Sequence, residues 1–137
     1  MIDPIQLTRD LIRFETINPP GNETLCAEHI GGILERAGFS IAYHPLNGDA
    51  TRANLIARIG GNGSAKPLCL SGHTDVVPLG AAPWTVAPFA ADIADGKIFG
   101  RGSTDMKGGV AAIIAAAVEL APHLEGTPGL VLVITAA

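Results

Sequence analysis

Leu130-Val131-Leu132-Val133-Ile134 is an uninterrupted apolar run, the pattern of a central strand covered on both faces. Before it, Met106 to Leu120 carries Val110, Ile113, Ile114, Ala117 and Val118 at the spacing of a helix's core face, and Pro122 closes that helix. Three more strands are expected at Pro67 to Ser71, Asn54 to Ile59 and Phe39 to His44, and the spacer Gly60-Gly61-Asn62-Gly63-Ser64 reads as a turn. Between these groups, Leu79 to Asp92 is irregular, with Pro83 and Pro88, and Lys97 to Gly100 forms a short strand entered through Asp95-Gly96. At the start of the chain, Asp3 caps a helix with Pro4 at its first position, and Leu7, Leu11 and Phe14 carry it to about Glu15. Asn18-Pro19-Pro20-Gly21 breaks it, Asn22 is placed to cap the next helix, and Cys26, Ile30, Ile33, Leu34 and Ala37 line one face up to a C-cap at Gly38. Helices and strands alternate without repeats, so the class is α/β with a layered sheet.

Composition narrows the function. The 137 residues are 47% hydrophobic and 16% charged, enough apolar surface to exclude disorder and to build the core of one domain. A net charge of -4 disfavours phosphate backbones and anionic lipid surfaces, so neither nucleic acid nor membrane is expected as a partner. The apolar stretches Gly109 to Ala117 and Leu130 to Ala137 fall short of the ~20 residues of a spanning helix. Met1-Ile2-Asp3-Pro4-Ile5-Gln6 has neither the basic start nor the apolar run of a secretory signal, which makes the cytoplasm the expected location. Cys26 and Cys69 lack any CxxC spacing and read as small buried hydrophobes.

Two segments carry chemistry. Ser71-Gly72-His73-Thr74-Asp75 lies where a strand ends, the edge at which α/β sheets collect functional groups. Residues two apart in extended backbone share a side, so His73 and Asp75 face one cleft, either as a metal ligand with its orienting carboxylate or as a structural hydrogen-bonded pair. Gly100-Arg101-Gly102-Ser103-Thr104-Asp105-Met106-Lys107-Gly108-Gly109 is a glycine-rich entry to a helix, in which Asp105 serves as a cap or offers both oxygens to cations. Nucleotide binding fits poorly, since the third glycine of GxGxxG is missing and Lys107 is followed by Gly108 rather than Ser or Thr. Arg101 and Lys107 are read either as anion contacts or as partners in structural salt bridges. Together the two segments offer one His and two Asp at one sheet edge, the material of a two-metal hydrolase site.

These residues resemble the M20-type metallopeptidases and amidohydrolases, the family of acetylornithine deacetylase, succinyl-diaminopimelate desuccinylase, carboxypeptidase G2-type enzymes and aminoacylases. The similarity runs through Ser71 to Pro78, Trp84 with Pro88-Phe89, Asp95 to Gly102 and Asp105 to Gly109, and includes the Asn18 to Glu23 loop. It implies a three-layer catalytic domain with a central mixed sheet, of which residues 1–137 would be the N-terminal part, without the lid or dimerisation domain. It also implies two divalent cations, zinc or cobalt, with His73 a ligand of one, Asp105 bridging both, and Asp75 the catalytic carboxylate that orients and polarises His73. A cis peptide between Asp105 and Met106 is a further expectation. The family's Glu-Glu pair, a general base and a ligand, would follow the strand at Leu130 to Ile134, where this sequence has Thr135-Ala136-Ala137.

The resemblance thus implies a hydrolase of the amide bond of N-acyl amino acids, homodimeric at full length, with this chain inactive by itself. A non-catalytic remnant or interaction module that keeps the fold is the alternative. Self-association of the chain is expected on the ground that neighbours of the central strand would be missing.

Overall fold

The computed structural model describes residues 1–61 and 65–136, so Asn62, Gly63 and Ser64 of the expected turn, and Ala137, lie outside the described residues. Among the described residues the order is α1 (Pro4–Ile12), α2 (Thr24–Arg36), β1 (Ser40–Leu46), β2 (Asp49–Ile59), β3 (Leu68–His73), β4 (Ile93–Ala94), β5 (Lys97–Ile98), α3 (Gly108–Leu120) and β6 (Leu130–Thr135). Four strands form a mixed sheet in the order β1-β2-β6-β3, and β4 with β5 forms a separate two-residue ribbon.

The apolar run is central, as its composition predicts. β6 pairs antiparallel with β2, Leu132 facing Ala57, and parallel with β3, Leu132 facing Leu70. Both neighbours of β6 are therefore supplied by this chain, which removes the reason given above for self-association. The free edges belong to β1 and β3 instead.

Alternation along the strands sends Leu55 and Ala57 of β2, and Leu130, Leu132 and Ile134 of β6, into a core with Leu7 and Leu11 of α1, Ile30 and Leu34 of α2 and Val110 and Ile114 of α3. All three helices thus cover the same face of the sheet. The opposite face carries Cys69, which is exposed, and Val133, which is half-buried. Among the described residues no helix supplies the cover that the apolar run of β6 implies for its second face.

Local signals set most boundaries. Asp3 caps α1 by accepting the Ile5 N–H at 2.9 Å, but the helix ends at Ile12, short of Glu15. Beyond it Phe14 N–H bonds to Leu11 O and Thr16 N–H to Phe14 O, so the chain tightens and turns away. Asn22 is not the cap of α2. Glu23 holds that position without a side-chain cap bond, because its carboxylate is committed to Arg52. Gly38 ends α2 at φ +94°, the left-handed conformation expected of it. β2 begins at Asp49, five residues before Asn54, and joins β1 through Asn47 and Gly48 at φ 53° and 80°. The Asn-Gly pair is a strong hairpin signal that sequence reading passed over.

A candidate metal centre at the end of a strand

The last residue of β3 is His73, and Asp75 follows two positions later. A short parallel bridge pairs Ile17 with Val76, and Val76 N–H donates to Thr16 O while Asn18 N–H donates to Val76 O, both at 2.8 Å. These bonds hold the backbone around Asp75 in line with the sheet edge. Asp75 is almost fully buried.

Asp105 arrives from the other side. The irregular turn Ser103–Lys107 precedes α3, with Asp105 at φ -122° and ψ 96°, which is why α3 begins at Gly108 rather than at Met106. The Asp105-Met106 peptide is cis, as the resemblance implies. Asp105 does not cap α3, whose N-terminus has no side-chain cap bond. Its side chain is 83% exposed and faces His73 across a cleft of about 220 Å³ lined also by Asp75, Arg101 and Ser103.

The three residues singled out from sequence thus meet. His73 Nε2 lies 3.1 Å from Asp105 Oδ1. On the other side of the ring, Nδ1 lies 3.0 Å from Asp75 Oδ1 and 3.2 Å from the Asp75 carbonyl, and the carbonyl has the hydrogen-bonding geometry. Asp75 Oδ1 is buried without a hydrogen bond. Oxygens therefore flank both ring nitrogens, whereas a neutral imidazole has one N–H. With that proton at Nδ1, toward Asp75, the Nε2 lone pair and the Asp105 carboxylate converge, and a cation between them satisfies both. The donor set fits a divalent metal in kind. In number it is incomplete, since among the described residues no three His, Cys, Asp or Glu are grouped to hold an ion.

Arg101 and Lys107 part company. Arg101 stacks 5.0 Å from the Trp84 ring centroid and donates to Pro78 O at 3.1 Å. Lys107 is fully buried and donates through Nζ to Phe14 O at 2.6 Å, a bond to a carbonyl rather than a salt bridge. Burial lowers its ammonium to about 8, against the opposing pull of Cys26, Asp75 and Glu23.

A buried carboxylate and its half-buried partner escaped the sequence reading. Glu23 is wholly inaccessible and paired with Arg52, at 3.0 Å from Nε to Oε2 and 3.2 Å from Nη2 to Oε1. Arg52 has its pKa raised first by that bond and further by the charges of Glu23, Asp75 and Asp49. The only sequence signal for Glu23 was its place at the end of the Asn-Pro-Pro-Gly-Asn-Glu loop.

Comparison with known proteins agrees with this architecture. The peptidase family M20/M25/M40 matches residues 69–137, which include both segments of the cleft. A succinyl-diaminopimelate desuccinylase of Ruegeria pomeroyi is 48% identical over 87% of this chain and 30% of its own length. One from Cereibacter sphaeroides is 45% identical over 98% of this chain and 34% of its own. The chain therefore spans about a third of the length of these relatives. In fold it matches an M20-family metallo-carboxypeptidase of Sulfolobus solfataricus with a TM-score of 0.80 and 24% identity, over 98% of this chain and 31% of that one. A dinuclear metal-binding M20 peptidase of Bacillus subtilis gives 0.64 at 22% identity, over 96% and 33%. With the family match spanning both halves of the cleft, the chain belongs to the peptidase family M20/M25/M40.

Proposed function

We propose that residues 1–137 are the N-terminal part of the catalytic domain of a metal-dependent hydrolase that cleaves the amide bond of N-acyl amino acids, desuccinylation being the favoured reaction. The observation that carries this reading is the convergence of His73 Nε2 on Asp105 Oδ1 with Asp75 behind the ring. Relatives 48% and 45% identical to this chain carry the desuccinylase name, which supports the choice of acyl group.

His73 and Asp105 would hold the metal, zinc or cobalt, with Asp105 offering both carboxylate oxygens toward a pair of ions. When bound, such cations lower the pKa of water toward neutrality and polarise an acyl carbonyl. Asp75 keeps the His73 proton on Nδ1, leaving Nε2 free to coordinate, and its carboxylate strengthens the ring as a donor. The two donors shown here are too few for a closed site, so the chain alone is inactive and its complement of ligands and general base comes from elsewhere in the protein. The full-length enzyme is a homodimer in the cytoplasm, acting on a small-molecule substrate without nucleic-acid or membrane partners. Self-association of the 137-residue chain is expected through the free β3 edge, where Cys69 is exposed. A monodisperse monomer in light scattering at high concentration would count against that.

The test of the activity is a chimera joining residues 1–136 to the remainder of the Ruegeria pomeroyi relative. It should release succinate from N-succinyl-diaminopimelate, lose activity to a chelator and lose it on His73→Ala. Chelator-insensitive turnover, or full activity of the His73→Ala chimera, sinks the reading.

A further inference from the structure

We propose that the segment from Phe14 to Asn18, between α1 and α2, is a strut that sets the separation of His73 and Asp105, with Thr16 and Lys107 as the positioning residues that fasten it. The proposal rests on the reading of His73 and Asp105 as metal donors. On one side the strut is bonded to the His73 half of the cleft. Thr16 Oγ1 donates to Thr74 O, Val76 N–H donates to Thr16 O and Asn18 N–H donates to Val76 O, so Asp75 sits between two fastened neighbours. On the other side Lys107 Nζ donates to Phe14 O at 2.6 Å.

Lys107 lies two residues after Asp105, and its own N–H closes the turn by donating to Gly102 O at 2.9 Å. Anchoring its side chain to Phe14 therefore anchors the turn that presents Asp105. A fully buried lysine is a costly way to make one hydrogen bond, since its ammonium leaves water and the bond returns only part of that loss. An apolar residue of similar length would fill the space at lower cost but would leave the Asp105 turn untied from the strut. The Asp105 side chain is largely exposed and meets His73 Nε2, so it does little itself to fix the turn. Thr16 does the same for the opposite wall, where an inaccessible hydroxyl spends its proton on a carbonyl between His73 and Asp75. Both tethers meet within three residues, Phe14 to Thr16, so displacement of one wall is transmitted to the other.

The test uses the 15N-labelled 137-residue chain, with Thr16→Val removing the donor at constant shape, Thr16→Ser retaining it, Lys107→Met, and Ile30→Val as a core change away from the strut. In the metal-free chain Thr16→Val should move the amide resonances of Thr104 to Lys107 as well as those of Thr74 to Val76. Thr16→Ser should restore both sets, and Ile30→Val should move neither. On titration with Zn2+ followed at the His73 ring nitrogens, Thr16→Val and Lys107→Met should weaken binding about tenfold, the scale of outer-layer partners of metal ligands, with Thr16→Ser near wild type. Shifts in Thr16→Val confined to its own neighbours and Thr74 to Val76 would overturn the strut, even if zinc binds. If the wild-type ring ignores zinc, two donors do not hold the ion in the isolated chain, and the strut is judged on the amide pattern alone. If Lys107→Met does not fold, the Thr16 pair decides.

Discussion

His73 Nε2 and Asp105 Oδ1 face each other at 3.1 Å, although 32 positions separate them in sequence. The ring's other nitrogen is already flanked by Asp75, so the Nε2 side is where a cation relieves the approach of two electron-rich atoms. Asp105→Asn replaces one oxygen with an amide group that can donate to Nε2 directly. Zinc binding to the 137-residue chain, measured by calorimetry, should then fall at least about tenfold. The urea midpoint should change little, because the Asp105 side chain is 83% exposed.

Asp75→Asn tests the orienting role. The amide cannot supply the negative charge beside Nδ1, so the ring becomes a weaker donor and its tautomer is less firmly set. Zinc affinity should drop by about 10- to 100-fold. The 15N shifts of the two ring nitrogens in the metal-free protein should also move toward each other. Unchanged shifts with unchanged affinity would show that Asp75 does not hold the ring.

Much of this was legible in the sequence, and the failures have physical causes. His73, Asp75 and Asp105 could be placed because strand alternation and the glycine-rich helix entry are local patterns, and local patterns survive in one dimension. The central position of β6 was legible from its unbroken apolar run, but the identity of its neighbours depends on pairing across 60 or more residues, such as Leu70 with Leu132. Cover on both faces of β6 was read from its hydrophobicity, which says what a strand tolerates and not what covers it. Lys107 was read by its charge as an anion contact or a salt-bridge partner, whereas burial against Phe14 O is decided by tertiary packing. Glu23 was missed for the same reason, since its partner Arg52 lies 29 positions away on β2.

Gly102 should be intolerant of substitution. It sits at φ +83°, and an added Cβ would lie 2.6 Å from Val76 Cγ1 and 3.3 Å from Lys107 Cδ, between the two walls of the cleft. Gly102→Ala combines left-handed backbone strain with crowding and should cost about 2–3 kcal/mol in urea unfolding. Gly96→Ala provides the comparison: it has φ +71° but nothing within 4 Å, so the backbone contribution of about 1 kcal/mol should stand alone. Equal losses in the two variants would show that crowding against Val76 is relieved without cost.

Glu23→Gln leaves the Arg52 guanidinium facing a neutral amide in an interior where Glu23 is wholly inaccessible. Breaking one partner of a buried ion pair should destabilise the chain by about 3 kcal/mol. Removing both charges, in Glu23→Gln with Arg52→Met, should recover part of that loss, because no isolated charge remains. A double variant that loses the sum of the two single effects would show that the pair contributes no coupling.

The two cysteines should separate by pH. Cys69 is exposed, while Cys26 is buried, and burial pushes its thiol from 9.0 up to about 11 against the lowering influences of Lys107 and a Thr74 hydrogen bond. At pH 8 a thiol reagent should therefore modify Cys69 quickly and Cys26 only on unfolding. The linkage has a definite sign. Between about pH 9 and 11 the unfolded chain has lost the Cys26 proton while the folded chain retains it, so the unfolded state binds fewer protons and stability falls as pH rises. The contribution is fully present below about pH 9 and is lost progressively as pH passes through about 11, amounting to about 2–3 kcal/mol. Comparing urea unfolding of the wild type with Cys26→Ala across this window reads the thiol together with its mutual influence on Lys107. The stability difference between the two should shift against the wild type as pH rises. A constant difference from pH 8 to 11 would mean that Cys26 ionises in the folded chain as readily as in the unfolded one.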